Sequence, residues 1–233
     1  KFIRGKARRI LLPLLSVSTI QYIGNSIIPG VNNPQELDMI WRIYLFPWAQ
    51  FWFLQALFLV FLVVTLLEYF NVLERLRIWT IVFIAALSLL TLVKYDYIST
   101  FFSAHRAVYL LPFFLLGIGI RRFTKQLTNK RLMFVILLLF VFGFTVQQLN
   151  WYNIVSISFG RISLVGVIVG VTGIWLLFYI RRPIKPLAWL GFFAYSIYLF
   201  HVFGTAGSRI IATKLGLAVD YQLFILGLIV GLG

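Results

Sequence analysis

Leu132-Met133-Phe134-Val135-Ile136-Leu137-Leu138-Leu139-Phe140-Val141-Phe142-Gly143-Phe144-Thr145-Val146-Gln147-Gln148-Leu149 carries no charge over eighteen residues and never alternates apolar with polar positions. Periodicity cannot separate strand from helix in a run that is apolar on every side. Length and solvent decide instead. Crossing about 30 Å of hydrocarbon takes roughly 17–25 helical residues, and within lipid only helices or closed barrels satisfy every backbone amide. A barrel strand would alternate, so this run reads as a transmembrane helix. It is framed as such a helix should be, by Lys130-Arg131 at one end and by Asn150, Trp151 and Tyr152 at the other.

Seven further runs have the same character. Together the eight fall near residues 10–28, 49–67, 78–94, 104–120, 132–149, 162–180, 187–204 and 216–233. The chain of 233 residues is 61% hydrophobic and 12% charged, with a mean hydropathy of +0.96. A water-soluble surface would need about a quarter charged residues, so the bilayer supplies the missing solvent. The expected fold is all-α, a polytopic transmembrane helix bundle. With no internal repeat or linker, residues 1–233 read as one integral membrane domain.

The formal charge of +15 comes from 21 Lys and Arg against 6 Asp and Glu. These cations cluster between apolar runs and form no continuous stripe for a phosphate backbone, so nucleic acid is not an expected partner. One side of the bundle receives Lys1, Arg4, Lys6, Arg8, Arg9, Arg75, Arg77, Arg121, Arg122, Lys125, Lys130, Arg131, Arg181, Arg182 and Lys185; the other receives Arg42, Lys94, Arg106, Arg161, Arg209 and Lys214. By the positive-inside rule the richer side is cytoplasmic, and the alternation accepts all eight spans. The longest outward loop, residues 29–48, holds Pro29, Gly30, Pro34 and Pro47 and is expected to be turn-rich and accessible.

Cysteine is absent, which excludes disulfides, thiolate metal sites and a cysteine nucleophile; with two histidines a metal cage is not expected. No phosphate loop, serine-hydrolase elbow or zinc helix is present.

The chemistry-bearing candidates are few. Tyr195, Tyr198 and His201 recur every third residue and form a slowly drifting stripe on the seventh span, where ionisable groups in lipid usually face a cavity or a bundle interior. His201 would act there as base, acid or donor, or else serve only as a hydrogen bond between helices. Lys6, Arg8 and Arg9 place cations at the mouth of the first span, suited to phosphate or simply to topology and anionic lipid. Trp52, in Phe51-Trp52-Phe53-Leu54-Gln55, offers a sugar platform or an interfacial belt. His105 and Arg106 read as exposed loop groups, Gln147, Gln148, Asn150 and Arg161 as an outer rim, and Glu68 as the partner of Arg75 or Arg77.

Three patterns, the basic run leading to Pro13, the Phe51-Trp52-Phe53-Leu54 opening of a span, and Tyr195-Ser196-Ile197-Tyr198-Leu199-Phe200-His201, together resemble acyltransferase family 3, membrane proteins that move acyl groups, often acetyl from acetyl-CoA, onto sugars of exported or surface glycans. The resemblance implies about ten spans, a catalytic histidine on a first span that precedes the basic run, and a chain here that is a fragment lacking two spans at the front and its C-terminal end. It implies acyl-CoA as co-substrate with its phosphates near Lys6, Arg8 and Arg9, and no metal. It further implies a glycan or lipid-linked saccharide acceptor near Trp52 and Tyr198, an accessory role for His201, and residence in a bacterial inner membrane. The rival classes are a transporter or lipid-linked glycan translocator, whose inverted repeats and midspan carboxylates are not apparent, and a non-catalytic scaffold, which would not need the polar groups of the seventh span.

Overall fold

A computed structural model describes residues 2–31, 33–92, 98–156, 160, 162–182, 184–214, 216 and 220–232. The described residues form helices and connecting turns, with no strand. The helices are α1 (Phe2–Ile27), α2 (Arg42–Leu45), α3 (Trp52–Tyr69), α4 (Leu76–Leu92), α5 (Ala104–Arg122), α6 (Thr124–Leu127), α7 (Lys130–Trp151), α8 (Leu164–Ile180), α9 (Lys185–Lys214) and α10 (Asp220–Leu232). The eight apolar runs fall on α1, α3, α4, α5, α7, α8, α9 and α10.

Among the described residues, five helical stretches are long and apolar enough to cross a membrane: Ile3–Ile27, Trp52–Tyr69, Phe101–Arg122, Lys130–Trp151 and Lys185–Lys214. The helices α4 and α8 have 17 residues each, and α10 has 13. Two boundaries differ from the sequence reading. α1 begins at Phe2 and takes in the basic run, because a helix has no reason to stop at cations whose side chains reach solvent. α9 continues past residue 204 to Lys214, giving 30 residues, about 45 Å at 1.5 Å per residue and longer than the hydrocarbon requires.

The chain divides into two compact units, one of Lys1–Arg8 with Phe46–Arg181, the other of Arg9–Leu45 with Arg182–Gly233. In the first, α3, α4 and α5 pack around Val60, Leu73, Trp79, Phe83, Leu115 and Leu116. The Trp79 indole donates to the Leu115 carbonyl at 3.0 Å and stacks on Phe83 at 5.2 Å. Gly119 makes this packing possible, since a Cβ there would lie 2.1 Å from the indole. On α7 and α8, Gly143 faces Val169 and Gly173 faces Phe140, the small-residue contact that lets helices approach closely in lipid. α3 and α7 both end in a left-handed asparagine, Asn71 (φ 55°) and Asn153 (φ 56°), which closes the last turn through Val72 N–H to Leu67 and Ile154 N–H to Leu149.

Within the same unit Glu68 pairs with Arg122 at 3.1 Å, not with Arg75 or Arg77. The sequence reading took the nearest cations along the chain. The end of α5 carries Arg122 to the end of α3.

In the second unit, α9 and α10 pack directly together. A Cβ on Gly204 would stand 2.6 Å from the Val230 carbonyl oxygen, and one on Gly231 2.9 Å from the Thr205 methyl. The stretch after α1 folds back rather than standing open: Tyr22 donates to the Glu36 carbonyl at 2.6 Å, the Thr19 and Tyr44 hydroxyls meet at 2.7 Å, and Ile43 is fully buried.

Candidate functional site

α9 carries the densest set of candidates. It is apolar around its circumference, and Trp189, Phe193, Ile197 and His201 follow one another at four-residue spacing, hence along one helix face. With Ser196, Phe200 and the Val230–Gly231 end of α10 they line a cavity of about 380 Å³, within the size range of small-molecule sites. Gly231 shapes it directly, since a side chain there would press on Thr205 and the His201 backbone.

His201 is the ionisable group on that cavity. Its Nδ1 lies 2.9 Å from the Tyr198 carbonyl and 3.1 Å from that of Ile197. Carbonyl oxygens only accept, so Nδ1 carries the proton and Nε2 is left as the acceptor in the neutral ring. The backbone of the preceding turn thereby fixes both tautomer and ring orientation, which is the arrangement a proton acceptor or an orienting group requires.

The sequence reading puts Tyr195 and Tyr198 on one stripe with His201. Here the two tyrosines stack on each other, 6.5 Å between centroids and 21° between planes, while the cavity is lined instead by Ser196, Phe193 and Phe200. A three-residue step turns about 300° per step, so the stripe drifts off the cavity face within two steps. The four-residue spacing of Trp189, Phe193, Ile197 and His201 is the signal that marks the lining. Tyr195 is instead bonded to the basic run, donating to the Arg9 carbonyl at 2.8 Å.

The cations of the basic run are divided between the units. Lys6, half-buried in the first, sets its ammonium 4.4 Å above the Phe61 ring, and Arg8 is exposed there. Arg9 is exposed in the second. Both guanidinium groups are therefore reachable by an anion.

A second polar cluster closes the Trp52 end of α3 in the first unit. Gln55 is wholly buried and accepts from the Ser103 hydroxyl at 2.6 Å while its amide reaches the Phe46 carbonyl at 3.3 Å. Ser103 and Phe102 are consecutive left-handed residues, φ 55° and 49°, a conformation costing each about 1–3 kcal/mol and persisting only where the surroundings impose it. They turn the chain into α5, whose first turn brings His105 and Arg106 against α3. His105 is 6% exposed, not a loop group. Arg106 donates through Nε to His105 Nε2 at 3.3 Å and sets its Cζ over the Trp52 ring, 4.4 Å from the centroid. The sequence reading missed this because adjacent residues of a helix start say nothing about which neighbouring helix covers them. Gln147, Gln148 and Asn150 lie half-buried at the end of α7; Arg161 lies outside the described residues.

Among the described residues no group of three or more His, Cys, Asp or Glu side chains stands close enough to hold a metal ion.

Helices of membrane-spanning length define an integral membrane protein, and His201 on its aromatic cavity is its candidate site. A family model described as an acyltransferase domain matches residues 1–233, and the chain belongs to acyltransferase family 3. No curated protein and no solved structure matches it.

Proposed function

We propose that this membrane acyltransferase is an O-acyltransferase moving an acyl group, acetyl in the simplest case, from acyl-CoA to a sugar hydroxyl of a surface or exported glycan. The observation that carries the reading is His201, held through Nδ1 by its own helix on an aromatic cavity, in a chain of this family. Acyl transfer needs a hydroxyl oxygen to attack a thioester carbonyl while a base takes the hydroxyl proton; the C–S bond then breaks and coenzyme A leaves as the thiol. The family resemblance assigns the primary base to a histidine on a span preceding the basic run. His201 is then accessory, its Nε2 accepting from the acceptor and orienting it, with Tyr198 as an acceptor contact on the same helix; Trp52, in the first unit, is proposed separately as an acceptor contact.

The donor arrives from the cytoplasm, its phosphates held by Lys6, Arg8 and Arg9. Eight crossings of a bacterial inner membrane, with the fifteen-cation side cytoplasmic, supply that geometry. The exposure of Arg8 and Arg9 supports the assignment.

The test is transfer of labelled acetyl from acetyl-CoA to glycan in membranes containing the protein. His201→Ala is expected to lower turnover at least tenfold while the protein stays folded and monodisperse. Activity lost only in step with folded protein would reduce His201 to packing, and no transfer to any saccharide would favour a translocator.

A further inference from the structure

We propose that the Trp52–Arg106 pair is an oxyanion subsite, taking the carboxylate or phosphate ester of an acidic saccharide; it rests on the reading of Trp52 as an acceptor contact.

The geometry of Arg106 leads there. Its Nε is committed to His105, and its Cζ stands 4.4 Å from the centroid of the Trp52 ring. These two contacts hold the group in place. The terminal amino groups then present the planar fork that matches a carboxylate or phosphate through two parallel hydrogen bonds. A lysine in its place would offer only a point charge.

The support beneath this pair is rigid and costly. Gln55 and Ser103 are both fully buried and bonded to each other, and Ser103 N–H bonds the Thr100 carbonyl at 3.0 Å. That network holds the two left-handed residues, Phe102 and Ser103, that immediately precede α5. Observed backbone strain of this kind concentrates where a side chain must be aimed, and the side chains aimed here are His105 and Arg106.

The carboxylates among the described residues of this unit are Glu68 and Glu74. Both lie at or beyond the Tyr69 end of α3, and Glu68 already pairs with Arg122 there. Among the described residues the Trp52 end has a half-buried cation and no carboxylate; Asp96 lies outside the described residues. A ligand bearing an oxyanion would meet Arg106 with the pyranose C–H face packed on the aromatic surface beside it.

Binding of trigalacturonate, glucose 1-phosphate and maltotriose to the purified protein in detergent, by isothermal titration at two salt concentrations, tests the subsite. At least one acidic probe is expected to bind about tenfold or more tighter than neutral maltotriose, as charge-assisted hydrogen bonds predict. That preference should vanish in Arg106→Gln, shrink in Arg106→Lys and weaken with salt. Preference for trigalacturonate alone assigns a carboxylate, and preference for glucose 1-phosphate alone a phosphate ester. Equal binding of acidic and neutral probes, or a preference that survives Arg106→Gln, overturns the proposal; should that variant not fold, a preference unchanged in Arg106→Lys overturns it. No acyl donor is present, so failure of glycan acylation with the acidic preference intact would refute the transferase reading alone. The reverse result would refute this subsite alone.

Discussion

The Tyr195 hydroxyl donates a 2.8 Å hydrogen bond to the backbone carbonyl of Arg9, the carbonyl that Pro13, having no N–H, leaves without its helical partner. A proline inside a membrane helix is tolerated when a neighbouring group satisfies the freed carbonyl. Two of the sequence patterns on which the family resemblance rests, the basic run ending in Pro13 and the Tyr195–His201 segment, thus meet in one bond.

Tyr195→Phe should therefore lower thermal stability in detergent by about 0.6–1.7 kcal/mol, the range of single hydrogen bonds between membrane helices. Pro13→Ala returns an N–H to Arg9. In that background Tyr195→Phe should cost almost nothing, and a double-mutant cycle showing full additivity would contradict the pairing.

The α9–α10 contact depends on Gly204. Gly204→Ala places a methyl against the Val230 carbonyl, so backbone must shift, at about 1–3 kcal/mol by the usual cost of overpacking. Gly207 has nothing within 4 Å, and Gly207→Ala is the matched control, expected to unfold at or above the original temperature. Because α10 contributes to the cavity wall, turnover should fall with Gly204→Ala and persist with Gly207→Ala.

Gly119 and Gly117 make the same comparison in α5. Gly119→Ala collides with the buried Trp79 indole, whereas Gly117 looks onto open space. The first should destabilise by about 1–3 kcal/mol, and the second should gain up to about 1 kcal/mol of helix propensity. Chemical unfolding followed by tryptophan fluorescence distinguishes them.

The Glu68–Arg122 pair is one-third exposed at both side chains. Arg122→Gln should cost less than about 1 kcal/mol, and less again at high salt. A larger loss would mean the pair is more shielded than its exposure implies.

Arg8→Gln with Arg9→Gln should raise the apparent KM for acyl-CoA about tenfold or more, each lost phosphate contact being worth roughly 1 kcal/mol or above. An unchanged KM would return both residues to topology.

How much of this was legible beforehand varies with the range of the interaction. The helices and the candidate status of His201 could be read locally, because each depends on neighbours a few residues away. The partner of Glu68, the burial of His105 and the Arg106–Trp52 contact could not. They depend on which helix lies beside which, and α3 and α5 meet across about fifty residues of chain: Ser103 and Gln55 are 48 apart.

By itself, the sequence determined that this protein is a helical membrane protein, since in lipid each apolar run must satisfy its own backbone and nothing distant can alter that requirement. The tertiary structure alone decided which groups complete one another: Tyr195 finding a carbonyl 186 residues away, Arg106 laid on Trp52, Gly231 opening the wall beside His201. Hydrocarbon does not favour one pairing of apolar helices over another, so those choices fall to close packing and a few polar contacts, which hydropathy along a chain does not encode.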